Sequence, residues 1–214
     1  MDPNVQTKID KFFSPYIAQK IAKSTVLIYP NENPRAVHKL DSGRVVQYDI
    51  ALDGTRIVLN VFKPPAFFPM SWAINNTNDN YFYETHGECT IRRAPAAKVL
   101  EFIKNEPDVM LDLLSRLYSG ISGSQRRNVY SAKGSALQRI TYELLLSISR
   151  FGEQQDDGSY ALPFSEPDLA ANSGLTRETV NREIAKMKKL DLVKIKNKKL
   201  YIPNQSNLEQ YLKK

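Results

Sequence analysis

The chain has 214 residues, 42% of them hydrophobic and 25% charged, which is enough for two modest domains, each with its own core. No stretch approaches the roughly 18–20 apolar residues that span a bilayer, and Met1-Asp2-Pro3-Asn4 lacks the basic-then-apolar start of a secretory signal, so a cytoplasmic protein without membrane contact is expected. The single cysteine, Cys89, excludes an internal disulfide framework and a four-cysteine iron–sulfur cluster held within one chain.

The net charge of +7 favours a polyanionic partner. Its distribution sharpens the point. Arg177, Arg182, Lys186, Lys188, Lys189, Lys194, Lys196, Lys198 and Lys199 crowd one short stretch, opposed only by Glu178, Glu183 and Asp191. Such clustering is the footprint of phosphate contact. Enzyme chemistry finds no comparable support. There are two histidines, and the hydrolase elbow, the zinc-protease helix, the phosphate loop and the dinucleotide fingerprint are all missing. Asp156-Asp157 sits in an expected loop, without apolar neighbours to raise a pKa.

In chain order, residues 1–23 predict a short amphipathic helix with Ile9, Phe12 and Phe13 on one side, interrupted at Pro15. From Thr25 to Arg93 the β-branched and aromatic runs 26–29, 44–48 and 56–62 predict strands. Asp53-Gly54 is a hairpin signal, and 41–43, Pro64-Pro65 and 75–80 are further corners. Many short strands at this spacing predict an antiparallel barrel or jelly roll. Phe67, Phe68, Trp72, Tyr81, Phe82 and Tyr83 either line an apolar effector pocket or form the core of that roll. Residues 95–105 predict a short helix, and Glu106 to about Tyr130 a long one.

On the long helix Met110, Leu114, Leu117, Ile121 and Ser124 alternate by four and three, the seam of a two-helix coiled coil. The same stripe can instead pack on its own β-domain. Gly120 and Gly123 mark a close approach of another group or a break. Residues 131–134 read as a hinge. Leu137, Ile140, Leu144, Leu145 and Ile148 predict a second amphipathic helix ending at Phe151-Gly152, followed by a polar loop.

The most informative segment runs from Ser165 to Pro203. Ser165 with Asp168 forms a capping box, and Asn172-Ser173-Gly174 stops that short helix with a left-handed turn. Thr176 caps a second helix running to about Leu190, with Val180, Ile184 and Met187 inward and Arg177, Glu178, Asn181 and Arg182 outward. This is a helix-turn-helix whose second helix enters the DNA major groove. Arginine can donate two parallel hydrogen bonds to guanine, a carboxylate can accept from cytosine N4, and asparagine or threonine can add a base or phosphate contact. Residues 192–202 follow as a hairpin with the basic tip Asn197-Lys198, a wing on which Lys196 and Lys198, with Lys186 of the helix, suit phosphates.

Leu169-Ala170, then Gly174-Leu175-Thr176-Arg177-Glu178-Thr179-Val180 and Arg182, resemble the signature of the bacterial Crp–Fnr transcription regulators. More loosely, Leu40, Gly43 and Val45, then Asp53-Gly54, Ile57 and Leu59, then Pro65 and Phe67-Phe68 resemble the sensory β-roll, and Asn105-Glu106-Pro107 the start of the dimerisation helix. The resemblance implies an α+β chain. It comprises a cyclic-nucleotide-binding-like jelly roll over 1–105, a dimerisation helix over 106–131 and a winged helix-turn-helix over 132–214. It also implies a homodimer on double-stranded DNA, reading a palindrome of TGTGA-like half-sites, with RNA polymerase as a further partner. In that reading Arg177 and Arg182 contact guanines and Glu178 a cytosine, while Ser165, Thr176 and Thr179 hold phosphates.

The family's cyclic-nucleotide grip needs an arginine. Neither 68–72 nor 80–85, where the grip would fall, contains one, so tight binding of cyclic AMP or cyclic GMP is not expected. No cofactor is assigned, although His38, His86 and Cys89 are candidate haem ligands. A small-molecule effector is left open, as are activation and repression. The competing reading is an effector-binding or protein-interaction regulator whose winged helix touches a protein instead of DNA.

Overall fold

The computed structural model describes residues 2–52, 54, 56–162, 165–197 and 199–212, and the chain divides into two compact units, Met1–Tyr118 and Ser119–Lys214. The first unit begins with α1 (Pro3–Phe13), capped by the Asp2 carboxylate on the Asn4 N–H at 2.7 Å. Eight strands follow: β1 (Gln19–Ile21), β2 (Val26–Ile28), β3 (Val37–Ser42), β4 (Val45–Ile50), β5 (Arg56–Phe62), β6 (Ala66–Phe68), β7 (Phe82–Thr85) and β8 (Cys89–Ala94). Helix α2 (Met70–Asn75) interrupts them, and α3 (Ala96–Asn105) and α4 (Pro107–Lys133) succeed them.

The strands form two antiparallel sheets in the orders β1-β8-β3-β6 and β2-β7-β4-β5. Apart from the β4–β5 hairpin, successive strands alternate between the two sheets as in a jelly roll, and the predicted fold class is the observed one. β4 and β5 pair from Val45↔Phe62 to Ile50↔Arg56, so the expected hairpin is present and Gly54 takes φ +81°. Asp53 lies outside the described residues.

Alternation within each strand builds two cores. Leu40, Ala66, Phe68, Cys89 and Ile91 from one sheet meet Ile28, Val45 and Tyr83 from the other. The opposite face of the first sheet gives Val37, Phe67 and Ala94 to Val5, Ile9 and Phe13 of α1, Trp72 of α2, and Val99 and Ile103 of α3. β3 is therefore covered on both faces. Its Lys39, 6% exposed, lies 2.6 Å from both Asp10 of α1 and Asp41, and Arg92 also reaches Asp41 at 2.7 Å. A buried ammonium persists only with such partners. The aromatic cluster divides accordingly: Phe67, Phe68, Trp72 and Tyr83 are core, whereas Phe82 is half-buried and Tyr81 exposed.

In the second unit α5 (Ala136–Phe151) is followed by β9 (Glu153–Gln154) and β10 (Tyr160–Ala161), then α6 (Glu166–Ser173), α7 (Arg177–Lys189), β11 (Lys194–Lys196), β12 (Lys199–Ile202) and α8 (Gln205–Leu212). The helices pack on one another and the strands form one sheet, β11-β12-β10-β9. The hinge expected at 131–134 is shorter than its sequence suggests. α4 is continuous through Gly120 and Gly123 to Lys133; Gly134 ends it, and Ser135 at once caps α5 in a reciprocal box with Gln138. Within this unit the Arg127 guanidinium grips the buried Glu143 at 2.5 and 2.9 Å, and the Tyr142 hydroxyl donates to the Gly123 carbonyl at 3.0 Å. No helix among the described residues is long and apolar enough to cross a membrane.

Candidate nucleic-acid interface

α6 and α7 meet at a turn whose geometry follows from its residues. Both the N–H and the hydroxyl of Ser165 donate to Asp168 Oδ2, at 2.8 and 2.7 Å, and secure the start of α6. Gly174 ends that helix in the left-handed region at φ +62°, its N–H returning to the Ala170 carbonyl. From α5, Arg139 Nη2 donates to the carbonyls of Ser173 (2.5 Å) and Gly174 (3.1 Å), satisfying acceptors that a helix end leaves unpaired. Thr176 then caps α7. Its Oγ1 accepts from the Thr179 N–H at 3.2 Å and donates to Thr179 Oγ1 at 2.9 Å, which leaves the Thr179 hydroxyl proton directed to other acceptors.

Val180, Ile184 and Met187 are fully buried and fix the rotation of α7 about its axis. Arg177, Glu178, Asn181 and Arg182 therefore stand exposed together on the first turn and a half. The residues predicted to read bases share one outward face; Lys186 follows on the next turn, also exposed. Glu183, one of the three acids among these basic residues, does not share their exposure. It is buried, at 6% exposure, and pairs with Lys186 at 2.9 Å and Arg182 at 3.5 Å.

β11 and β12 pair as a hairpin, Lys194↔Tyr201 through Lys196↔Lys199, and Asn197 at its tip takes φ +51°, a conformation asparagine tolerates. Lys196 is exposed, with its Nζ 5.6 Å from the Tyr201 ring centroid. Lys198 lies outside the described residues. Met110, Leu114, Leu117, Ile121 and Ser124 are all exposed on α4. Leu111 and Tyr118, each 66% exposed, extend this apolar stripe; a strict four-three spacing passes over them. Of the candidate haem ligands, His38 and Cys89 are core residues: His38 stacks on Phe68 at 5.4 Å and the Cys89 thiol donates to the Arg44 carbonyl at 3.1 Å. His86 is half-buried.

Two short helices around a glycine turn, an outward basic helix face and a following β-hairpin define the chain as a winged helix-turn-helix DNA-binding protein. The Crp-like helix-turn-helix domain matches residues 138–211. The probable transcriptional regulator flp of Lacticaseibacillus casei is 24% identical over 195 residues, covering 90% of this chain and 86% of the relative. The global nitrogen regulator of Synechocystis sp. is 23% identical over 199 residues, covering 92% and 88%. Among solved structures, the c-di-GMP-responsive global regulator CLP of Xanthomonas campestris superposes with a TM-score of 0.77 at 16% identity, covering 93% of this chain and 99% of that one. The chain therefore carries a Crp-like helix-turn-helix domain, the DNA-binding part of a transcription regulator, and over about nine-tenths of its length it is similar to regulators of the Crp–Fnr type.

Proposed function

We propose that the protein is a cytoplasmic homodimer that reads a palindrome of TGTGA-like half-sites. Arg177 and Arg182 read guanines, Glu178 a cytosine, and Asn181 a neighbouring base. Ser165, Thr176, Thr179, Lys186, Lys196 and Lys198 hold the phosphates. Residues 1–105 form the regulatory β-roll, 106–131 the dimerisation helix with its seam at Met110, Leu114, Leu117, Ile121 and Ser124, and 132–214 the DNA-binding domain. Bound at a promoter, the dimer acts on RNA polymerase.

The observation that carries this reading is the shared outward face of Arg177, Glu178, Asn181 and Arg182 on a helix whose opposite stripe is buried. A guanidinium presented there can donate both hydrogen bonds to guanine O6 and N7 while the carboxylate beside it accepts from cytosine. The roll interior argues against a cyclic nucleotide, since Phe68 and Tyr83 stack between the sheets at 5.5 Å and Phe62 lies 5.1 and 5.8 Å from their rings. A different effector, or none, therefore governs the roll.

Binding to specific and random duplexes across a salt series tests the assignment. Arg182→Ala costs about 1–3 kcal/mol of site discrimination. Lys196→Ala instead weakens both duplexes alike and lowers the salt slope by roughly 1. Equal losses on both duplexes for both variants, or indifference to DNA altogether, would show that the winged helix serves another partner.

A further inference from the structure

We propose that Glu183 is a positioning residue for DNA readout: its buried carboxylate holds the cations of Arg182 and Lys186 and thereby favours the cognate site over random duplex. This rests on the base-reading role given to Arg182 above. Glu183 lies on the edge of the inward stripe of α7, one residue before Ile184. Its side chain is 8% exposed, while those of Arg182 and Lys186 are 61% and 57% exposed. Arg182 Nε and Lys186 Nζ both approach the same oxygen, Oε1, at 3.5 and 2.9 Å.

Packing alone gives no reason for a carboxylate here. Burying one is costly unless it is paired, and a negative charge beneath a helix facing phosphates opposes DNA binding. Both penalties are offset if the carboxylate orders the cations around it. Engaging Arg182 through Nε leaves the outer edge, Nη1 and Nη2, free for the two parallel bonds that guanine O6 and N7 accept. The guanidinium is then held before contact, so less side-chain freedom is lost on binding. Partial neutralisation of Lys186 acts differently. It weakens attraction to any phosphate, whatever the sequence, and so depresses the random background against which the site is read.

Glu183→Gln, nearly isosteric and uncharged, and Glu183→Leu, which replaces the buried ion with an apolar side chain, are to be measured on specific and random duplexes, each alone and with Arg182→Ala. Thermal melts establish that each variant is folded. Both single variants are expected to bind random duplex about threefold more tightly without gaining on the specific site, so that the specific-to-random ratio falls by about threefold. With Arg182→Ala already present, the specific affinity rises with the random one and the ratio moves by less than about twofold. A folded Glu183→Gln or Glu183→Leu whose ratio stays within about twofold of the parent, while Arg182→Ala has lost discrimination, overturns the role of Glu183 alone. Full discrimination by Arg182→Ala overturns the base-reading assignment and this inference with it.

Discussion

His38 shows how much a residue's role depends on what folds around it. In sequence it is a candidate haem ligand. In the fold it is 3% exposed, stacked on Phe68, and its Nδ1 meets no hydrogen-bond partner among the described residues. Burial, aided by the charge of Arg93, pushes its pKa down to about 4. The folded protein therefore keeps the imidazole neutral, whereas the unfolded chain protonates it near 6.5. Above pH 6.5 this contribution is fully present. As the pH falls from 6.5 towards 4 the unfolded chain binds a proton that the fold refuses, and about 3 kcal/mol of stability is lost. His38→Phe preserves the stacking and removes the titration, so its stability falls less steeply over that interval; chemical denaturation at pH 7, 5.5 and 4.5 measures the difference, and parallel profiles would contradict it. Glu183 is the converse case. Its charge is plain in the sequence, but only the rotation of α7 about Val180, Ile184 and Met187 shows that it is buried.

At the level of elements, the helix-turn-helix was the most legible part because each of its signals is local. Ser165, Gly174 and Thr176 act on atoms within a few residues of themselves, and the inward stripe of α7 repeats every three or four residues. What lay beyond such reading depended on distant partners. β3 (Val37–Ser42) lacks a clean apolar alternation because helices cover one face and the second sheet the other, and Lys39 is neutralised by Asp10, twenty-nine residues away. β1 and α8 are short, and α8 is held through Leu208 and its packing on α5. Arg139, which fastens the turn, stands thirty-four residues before Ser173 and gives no local sign of its target. The turn itself yields a prediction. Gly174 sits at φ +62°, and a Cβ added there would lie 3.0 Å from Arg139 Nη2. Gly174→Ala therefore costs about 1–2 kcal/mol from the left-handed backbone alone, and displacing the guanidinium adds to it. Urea denaturation followed by a probe in residues 119–214 reads that loss; an unchanged midpoint would contradict it.

For the whole molecule, the exposed apolar side chains of α4 support the dimer proposed above, since a monomer gains nothing by leaving such a stripe in water. The pattern of four and three was visible in sequence, but its width was not: Leu111 and Tyr118 broaden the stripe beyond the predicted seam. Leu114→Asp combined with Ile121→Asp places charges in the middle of that stripe and should convert a dimer at micromolar concentration into a monomer by sedimentation. Affinity for a full palindrome should then fall to that of a single half-site, because the second contact is no longer tethered to the first. A variant that remains dimeric would locate the interface elsewhere.

Selection of binding sequences from a random duplex pool tests the paired reading heads most directly. Two copies of α7 related by a twofold axis should recover an inverted repeat with half-site centres about 10–10.5 base pairs apart, or a multiple of that spacing, and with guanines at the positions served by Arg177 and Arg182. Recovery of a single unpaired element, or of no sequence preference, would contradict the account.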